Sequence, residues 1–251
     1  MNSFLSAAVI FITHTLEGIT GFGSTVLALP FLNVTLGLRS AVQLLCVLSW
    51  GMALYIVARS WKHIVWKEFL FIVLWAGLGM PVGIWLFDKM PSGILCILLG
   101  TFMTATGIRG EIVTLKNPEP SSASQVAARN FLMRALLFAG GIIQGAFGTG
   151  GPFVVIYSSK ALPDKRVFRV TLSLLWLSMN SVRLLNWGVS GELWNRTLGT
   201  HLLWGFPVML AGVLLGDYLH NKVSEQHFKV GVYATLIIAG IFMAVNNIIK
   251  L

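Results

Sequence analysis

Long apolar runs separated by charged residues or by proline and glycine divide the chain into ten segments. Residues 4–16 and 25–36 are two short pieces on either side of a glycine-rich break, and 41–58, 69–87 and 94–108 are long enough to span a bilayer. A polar stretch, 109–128, carries Asn117-Pro-Glu-Pro-Ser-Ser-Ala-Ser and reads as a linker. The pattern then repeats: short pieces at 131–143 and 153–159, followed by long ones at 170–187, 198–219 and 230–249. Runs 69–87 and 202–215 contain no charge at all. These lengths and compositions predict helices with lipid as their solvent, hence an all-α polytopic membrane protein.

The short pieces add a topological question. At about 1.5 Å per residue, a helix over 4–16 covers only about 20 Å of a hydrocarbon core about 30 Å thick. Each pair is therefore either a hairpin that turns back inside the membrane or one interrupted crossing. Basic residues arbitrate. If each pair turns back, Arg59, Lys62, Lys67, Arg109, Lys116, Arg129, Arg134, Lys160, Lys165, Arg166, Arg169, Lys222 and Lys229 share one face. Only Arg39, Lys89, Arg183, Arg196 and Lys250 then lie on the other. Positive charge concentrates on the cytoplasmic side, so the hairpin reading is favoured. It predicts an odd number of crossings per half, inverted topology, both termini outside and the 109–128 linker in the cytoplasm. The expected organisation is a first transmembrane repeat over 1–108 and a second over 129–251.

The two halves also share residues. Glu17-Gly-Ile-Thr-Gly-Phe-Gly-Ser-Thr aligns without gaps on Gln144-Gly-Ala-Phe-Gly-Thr-Gly-Gly-Pro, pairing Gly18 with Gly145, Gly21 with Gly148 and Gly23 with Gly150. Arg39 falls on Arg166 at the same offset of 127 residues. Further on, Gly83-x4-Asp88 matches Gly212-x4-Asp217, and Gly107-Ile108 matches Gly240-Ile241. The ordered series argues for a repeat of half the chain. A backbone break at mid-membrane depth leaves peptide groups unpaired unless they line a cavity. Glycine permits the required dihedrals, and Pro152 suits the first turn of a following helix. Helix N-termini starting at Ser24 and Pro152 would point partial positive charge at the protein centre, where anions are favoured. Paired breaks in two halves mark transporter binding sites. The competing reading is that these glycines serve only close helix packing.

Composition agrees with the pattern: 56% of residues are apolar and 11% charged, with a mean hydropathy of +0.79, against about 25% charged in soluble domains. The net charge of +9 is spread between apolar runs rather than on one face, so it reports topology and not nucleic-acid binding. Cys46 and Cys96 lie inside apolar runs and read as small hydrophobes. The N-terminus lacks a basic stretch, which argues against a cleaved signal peptide. Among the tryptophans, Trp61, Trp66, Trp187 and Trp194 are placed at interfaces, and Trp75 and Trp204 deeper. The histidines have no metal-ligand spacing, and no cofactor is expected.

A few polar residues within the membrane carry the candidate chemistry. Glu17 is the one acid deep in an apolar segment, a turn after His14. It is a candidate for ion or proton coupling, or else a carboxyl that caps its own broken helix or meets an arginine. Its counterpart Gln144 does not titrate. Asn180, Arg183 and Asn186, spaced by three, suggest a polar face on which the Arg183 guanidinium binds an anion; the alternative is that Arg183 snorkels to the interface. Ser24, Thr25, Thr149 and Gln144 offer neutral donors. Asp88 and Asp217 end their helices and are assigned structural roles.

At Glu17-Gly-x2-Gly-Phe-Gly-Ser and Gly145-x2-Gly-Thr-Gly-Gly-Pro the chain resembles the sulfite exporter TauE/SafE family of bacterial permeases. The resemblance extends to the Asn180-containing helix and the two Gly-x4-Asp helices. It implies a multi-pass carrier of the bacterial plasma (inner) membrane for sulfite or an organosulfonate such as sulfoacetate, usually an exporter. It also implies a substrate site at 17–25 and 144–153. The expected site comprises Gly21, Gly23, Ser24, Thr25, Gln144, Gly148, Thr149, Gly150, Gly151 and Asn180, with Arg183 or Arg166 adding charge and Glu17 as the coupling candidate. The two glycine segments differ, so the half-sites are expected to be inequivalent. The expected partners are a small anion and membrane lipid, with a coupling proton or cation and a homodimer as further options. An anion channel, or a carrier for a carboxylate or inorganic anion, is the alternative function. A membrane enzyme is disfavoured because Glu17 and His14 are the only candidate catalytic groups within the spans.

Overall fold

The computed structural model describes residues 2–20, 22–116, 131–162, 164–191, 196–219 and 225–249. Among them it contains ten α-helices and a single 3-10 turn, Trp61–His63. The first half runs α1 (Asn2–Thr20), α2 (Ser24–Leu36), α3 (Leu38–Ser60), α4 (Trp66–Lys89) and α5 (Ser92–Lys116). The second runs α6 (Phe131–Phe147), α7 (Gly151–Ala161), α8 (Lys165–Val189), α9 (Arg196–Leu219) and α10 (Glu225–Ile248). Four helical stretches, Leu38–His63, Trp66–Lys89, Ser92–Ile112 and Leu198–Leu219, are long and apolar enough to cross a membrane. The first eight residues of the expected linker, 109–116, continue α5 as helix. The rest of it lies outside the described residues.

Both short pairs fold as hairpins. The hydroxyls of Ser6 and Thr35 approach to 3.4 Å, so the start of α1 lies beside the end of α2. In the second pair, the helix-breaking segment brings Gly150 back against Gly140 and Gln144, and Phe153 and Val154 against Gly140. Long helices mark the two ends of the bundle. At one end Arg39, at the start of α3, donates to the Phe87 and Asp88 carbonyls closing α4, at 3.2 and 3.3 Å. At the other, the end of α3 meets the end of α9 through Arg59 and Asp217. There, too, the Val65 N–H donates to Thr171 Oγ1 at 3.2 Å. The α1–α2 hairpin opens at the Arg39 end, because Gly37 alone joins α2 to α3. The α6–α7 hairpin opens at the Arg59 end, where Tyr157 donates to Glu68, in the first turn of α4, at 2.6 Å. The hairpins thus enter from opposite ends and their tips meet inside.

Glycines make these packings close. Gly212 and Gly216 of α9 lie against the backbone of α1 at Phe11, Thr15 and Gly18, and the two helices run in the same direction. Gly79 and Gly83 of α4 lie against Phe138 and Ile142 of α6, while Gly141 and Gly145 of α6 lie against Ala76 and Met80 of α4, again in the same direction. A Cβ at most of these positions would collide with backbone, so helix axes this near require glycine. Helices α5 and α10 pack antiparallel at Gly100, Gly107 and Gly240. The repeated glycines therefore divide into two groups: Gly18, Gly83, Gly107, Gly145, Gly212 and Gly240 serve packing, and others shape the tips. Helices α2 and α3 are the most enclosed, with Ala28, Leu29, Ala41, Leu44, Leu45 and Leu48 fully buried.

Two placements differ from the sequence reading. Trp187 is buried rather than interfacial, because its ring covers the Arg183 guanidinium at 4.4 Å. Asn186 is exposed, although Asn180 is buried. A three-residue step falls about 60° short of a full turn, so the second step carries Asn186 about 120° away from Asn180. Trp61 and Trp66 are exposed at the Arg59 end, as an interfacial belt requires, and Trp194 lies outside the described residues.

Candidate functional site

The hairpin tips enclose a pocket lined by Glu17, Phe22, Gly23, Thr25 and Val26 from the first hairpin and Gln144, Gly148, Thr149 and Gly151 from the second. Ser49 of α3 and Trp176 and Asn180 of α8 complete it. The break after α6 is closed by Gly148 at φ +68°, whose N–H donates to the Gln144 carbonyl at 2.8 Å. That is the left-handed residue that commonly ends a helix, and a side chain there would run into Cys46 Sγ. Before α2 the left-handed residue is Gly23 at φ +104°.

The N-termini of α2 and α7 both reach the pocket, and each is held by the side chain that precedes its break. The Glu17 carboxylate accepts from the backbone N–H and the hydroxyl of Ser24, the first residue of α2. Gln144 Oε1 accepts from the Gly150 N–H at the start of α7, at 2.8 Å. Glu17 and Gln144 are aligned in the repeat, so the two halves use one device with different chemistry: a carboxylate in one, a neutral amide in the other. The Gly150 N–H can only donate, and this fixes the direction of the next bond. Gln144 Nε2 donates to Asn180 Oδ1 at 2.8 Å, so the two N–H donors of Asn180 Nδ2 are not used in this chain of bonds. On the other wall, Thr25 Oγ1 and Ser49 Oγ lie 3.0 Å apart, and Ser24 Oγ is 3.4 Å from Ser49 Oγ. Thr149 is 4% exposed, and its hydroxyl has no hydrogen-bond partner among the described residues.

Of the expected site residues, Glu17, Gly23, Thr25, Gln144, Gly148, Thr149, Gly151 and Asn180 line the pocket. Ser24 and Gly150 hold the helix starts behind it, and Gly21 lies outside the described residues. Neither candidate arginine lines it. Arg183 is fully buried, with its guanidinium over the Phe87 and Trp187 rings at 4.6 and 4.4 Å, and Nη2 donates to the Ala146 carbonyl at 3.4 Å. It neither snorkels nor faces the cavity; it places a cation at the C-terminal end of α6, where the helix dipole is negative. Arg166 sits in the exposed first turn of α8, its N–H bonded to the Asp164 carboxylate at 2.8 Å. The sequence reading missed Val26, Ser49 and Trp176, and it included Phe22 only within the 17–25 segment. Trp176 was within reach, because it precedes Asn180 by four residues and so shares its helix face.

Arg169 of α8 lies within electrostatic reach of Glu17. It is committed to Asp217, with Nη2 at 2.6 Å from Oδ1, and Arg59 lies 3.7 Å from Oδ2 of the same carboxylate.

The model of the family described as "Sulfite exporter TauE/SafE" matches residues 6–243. The chain is also similar to the "Probable inner membrane transporter protein TsaS" of Comamonas testosteroni, at 20% identity over 182 residues that cover 72% of this chain and 73% of that protein. No solved structure matches it.

Proposed function

Because the chain belongs to the sulfite exporter TauE/SafE family of membrane transporters, we propose that it carries a small sulfur oxyanion across the bacterial inner membrane by alternating access. Sulfite or an organosulfonate such as sulfoacetate is the cargo and export the direction, following the family's description. The observation that carries the reading is the pocket at the meeting of two hairpin tips, with the unpartnered Thr149 hydroxyl in its wall. The anion's oxygens accept from Thr149 Oγ1, from the Gly151 N–H in the first turn of α7 and from the Asn180 amide. A helix N-terminus gives such a site net positive character without a charged side chain.

The two halves are inverted repeats. In support, exchanging the halves turns the pairing of α1 with α9 into the pairing of α6 with α4, and both pairs run in the same direction. Hairpins opening at opposite ends give each half its own path to the pocket, and rocking one half against the other exposes the site alternately. The distribution of basic residues supports a cytoplasmic Arg59 end.

The test is to titrate the purified protein with sulfite, methanesulfonate, sulfoacetate, acetate, phosphate and chloride, reading thermal stability and tryptophan fluorescence, to which Trp176 in the pocket contributes. Saturable stabilisation by sulfite and sulfonates but not by acetate or chloride is expected. A flat response to every sulfur anion overturns the substrate assignment. In liposomes, uptake that saturates and is accelerated by substrate on the far side is the carrier's signature; uptake that never saturates is a channel's.

A further inference from the structure

We propose that Glu17 couples the anion to a proton: the anion occupies the pocket only when a proton has neutralised the Glu17 carboxylate, so that binding of the anion takes up a proton. This rests on the reading of the pocket as the anion site. The argument begins with the position of Glu17. It is 7% exposed and lines the same pocket as Thr149, Gly151 and Asn180, so a bound anion and an ionised Glu17 would share one small pocket. Like charges at such separation, away from water, are not both accommodated. One of its carboxylate oxygens, Oε2, is buried without a partner, which leaves a place for the proton.

The neighbouring charges relieve that conflict only in part. Arg169, on α8, is within electrostatic reach of Glu17, but its guanidinium is paired with Asp217 of α9 at 2.6 Å. Arg59 of α3 turns to the same Asp217, and Tyr55 Oη lies 3.5 Å from it. His14, one turn earlier on α1, is fully buried and holds Nδ1 on the Ile10 carbonyl at 2.8 Å. In α6 the aligned position is Gln144, which has no charge. Ser24 and Ser49 contribute only hydroxyls. Among the described residues, Glu17 therefore has no ion-pair partner within 4 Å, and the proton that neutralises it comes from solution.

The same geometry explains why one half has a carboxylate where the other has an amide. Gln144 holds α7 permanently ready for an anion. Glu17 holds α2 with a charge that must first be cancelled. The pocket then discriminates between binding with and without a proton: proton and anion together leave it with the single negative charge it has when empty and ionised, whereas the anion alone would double that charge.

The experiment uses methanesulfonate, whose charge is constant from about pH 5 to pH 9, on the full-length purified protein. For the wild type, Kd is expected to rise about tenfold per pH unit once Glu17 ionises in the empty pocket, since binding then requires proton uptake. Glu17→Gln is expected to bind with a Kd that does not change with pH. Binding by the wild type at about pH 8.5 in weak buffer is expected to take up close to one proton per anion, a result that does not depend on the variant folding. Binding without pH dependence or proton uptake overturns the coupling and leaves the anion site standing. So does a Glu17→Gln slope equal to that of the wild type. No methanesulfonate binding at any pH overturns the anion site, and the coupling with it.

Discussion

Thr149 and Arg183 separate two roles that the sequence reading merged. Thr149 carries a buried hydroxyl with nothing to bond in the empty pocket. Removing an unsatisfied hydroxyl costs the empty protein little, whereas losing a hydrogen bond to a charged ligand costs about 1.5–3 kcal/mol. Thr149→Val is therefore expected to weaken anion binding tenfold or more while leaving the melting temperature of the empty protein unchanged or higher; equal affinity would remove Thr149 from the site. Arg183 predicts the reverse. Its guanidinium fills the space between Phe87 and Trp187 and supports the Ala146 carbonyl. Arg183→Ala leaves a void of aromatic walls and is expected to cost about 2–4 kcal/mol of stability, read as a lower melting temperature with and without anion. A selective loss of anion affinity at unchanged stability would return Arg183 to the pocket. Periodicity showed that Arg183 lies on the same side of α8 as Asn180. It gave no view of Ala146, 37 residues away, whose carbonyl the side chain reaches.

At the scale of elements, the apolar runs located all ten helices but made most of them too short. Helix α4 was read as 69–87 and spans Trp66–Lys89; α8 was read as 170–187 and spans Lys165–Val189. Charged residues end an apolar run without ending a helix, because their side chains reach water from the last turns. Helix α8 shows the signal that does mark a start. Asp164 caps it, accepting from the Arg166 and Val167 N–H groups at 2.8 and 3.0 Å. The bonds from Val167 and Arg166 hold its carboxyl below the usual carboxylate range. A lowered folded-state value means the stabilisation is complete above the unfolded carboxylate's titration and is lost as pH falls through the folded one. Asp164→Ala is thus expected to lower the melting temperature at neutral pH, with the gap from wild type closing on acidification below about pH 4. A gap that stays constant would show that the cap contributes through something other than its charge. At the tips, Gly148 pairs a left-handed φ with a Cβ direction aimed at Cys46. Gly148→Ala is expected to destabilise, and adding Cys46→Ala should recover the collision but not the dihedral strain of about 1–2 kcal/mol. Full recovery in the double variant would mean the φ itself is unstrained. The motif alignment flagged Gly148 but paired Gly23 with Gly150. The structure puts left-handed residues at Gly23 and Gly148, so the two breaks turn by different routes.

For the whole molecule, the entry of the two hairpins from opposite ends makes a prediction about sides. The positions of basic residues, and not any helix pattern, decided that each short pair turns back, and the described contacts put the hairpin openings at opposite ends. Ser92 begins α5 at the end where α4 closes, beside Asp88 and Arg39. Lys62 lies in the turn after α3 at the other end and is exposed. The native thiols Cys46 and Cys96 are buried and in no disulfide, so they give little background labelling. A cysteine replacing Ser92 is expected to react in intact cells with a maleimide that does not cross the membrane. One replacing Lys62 should react only after the inner face is opened, since thirteen of the eighteen basic residues favour the Lys62 end as cytoplasmic. Labelling of both from outside would contradict a crossing by α4, which joins the two ends. The opposite pattern would keep the fold and reverse its orientation, and with it the direction in which the Arg59 end faces the cargo. That distinction matters for export. The cluster of Arg59, Arg169 and Asp217 lies between the pocket and one end of the bundle, and the labelling decides whether an anion leaving the cytoplasm meets those charges first or last.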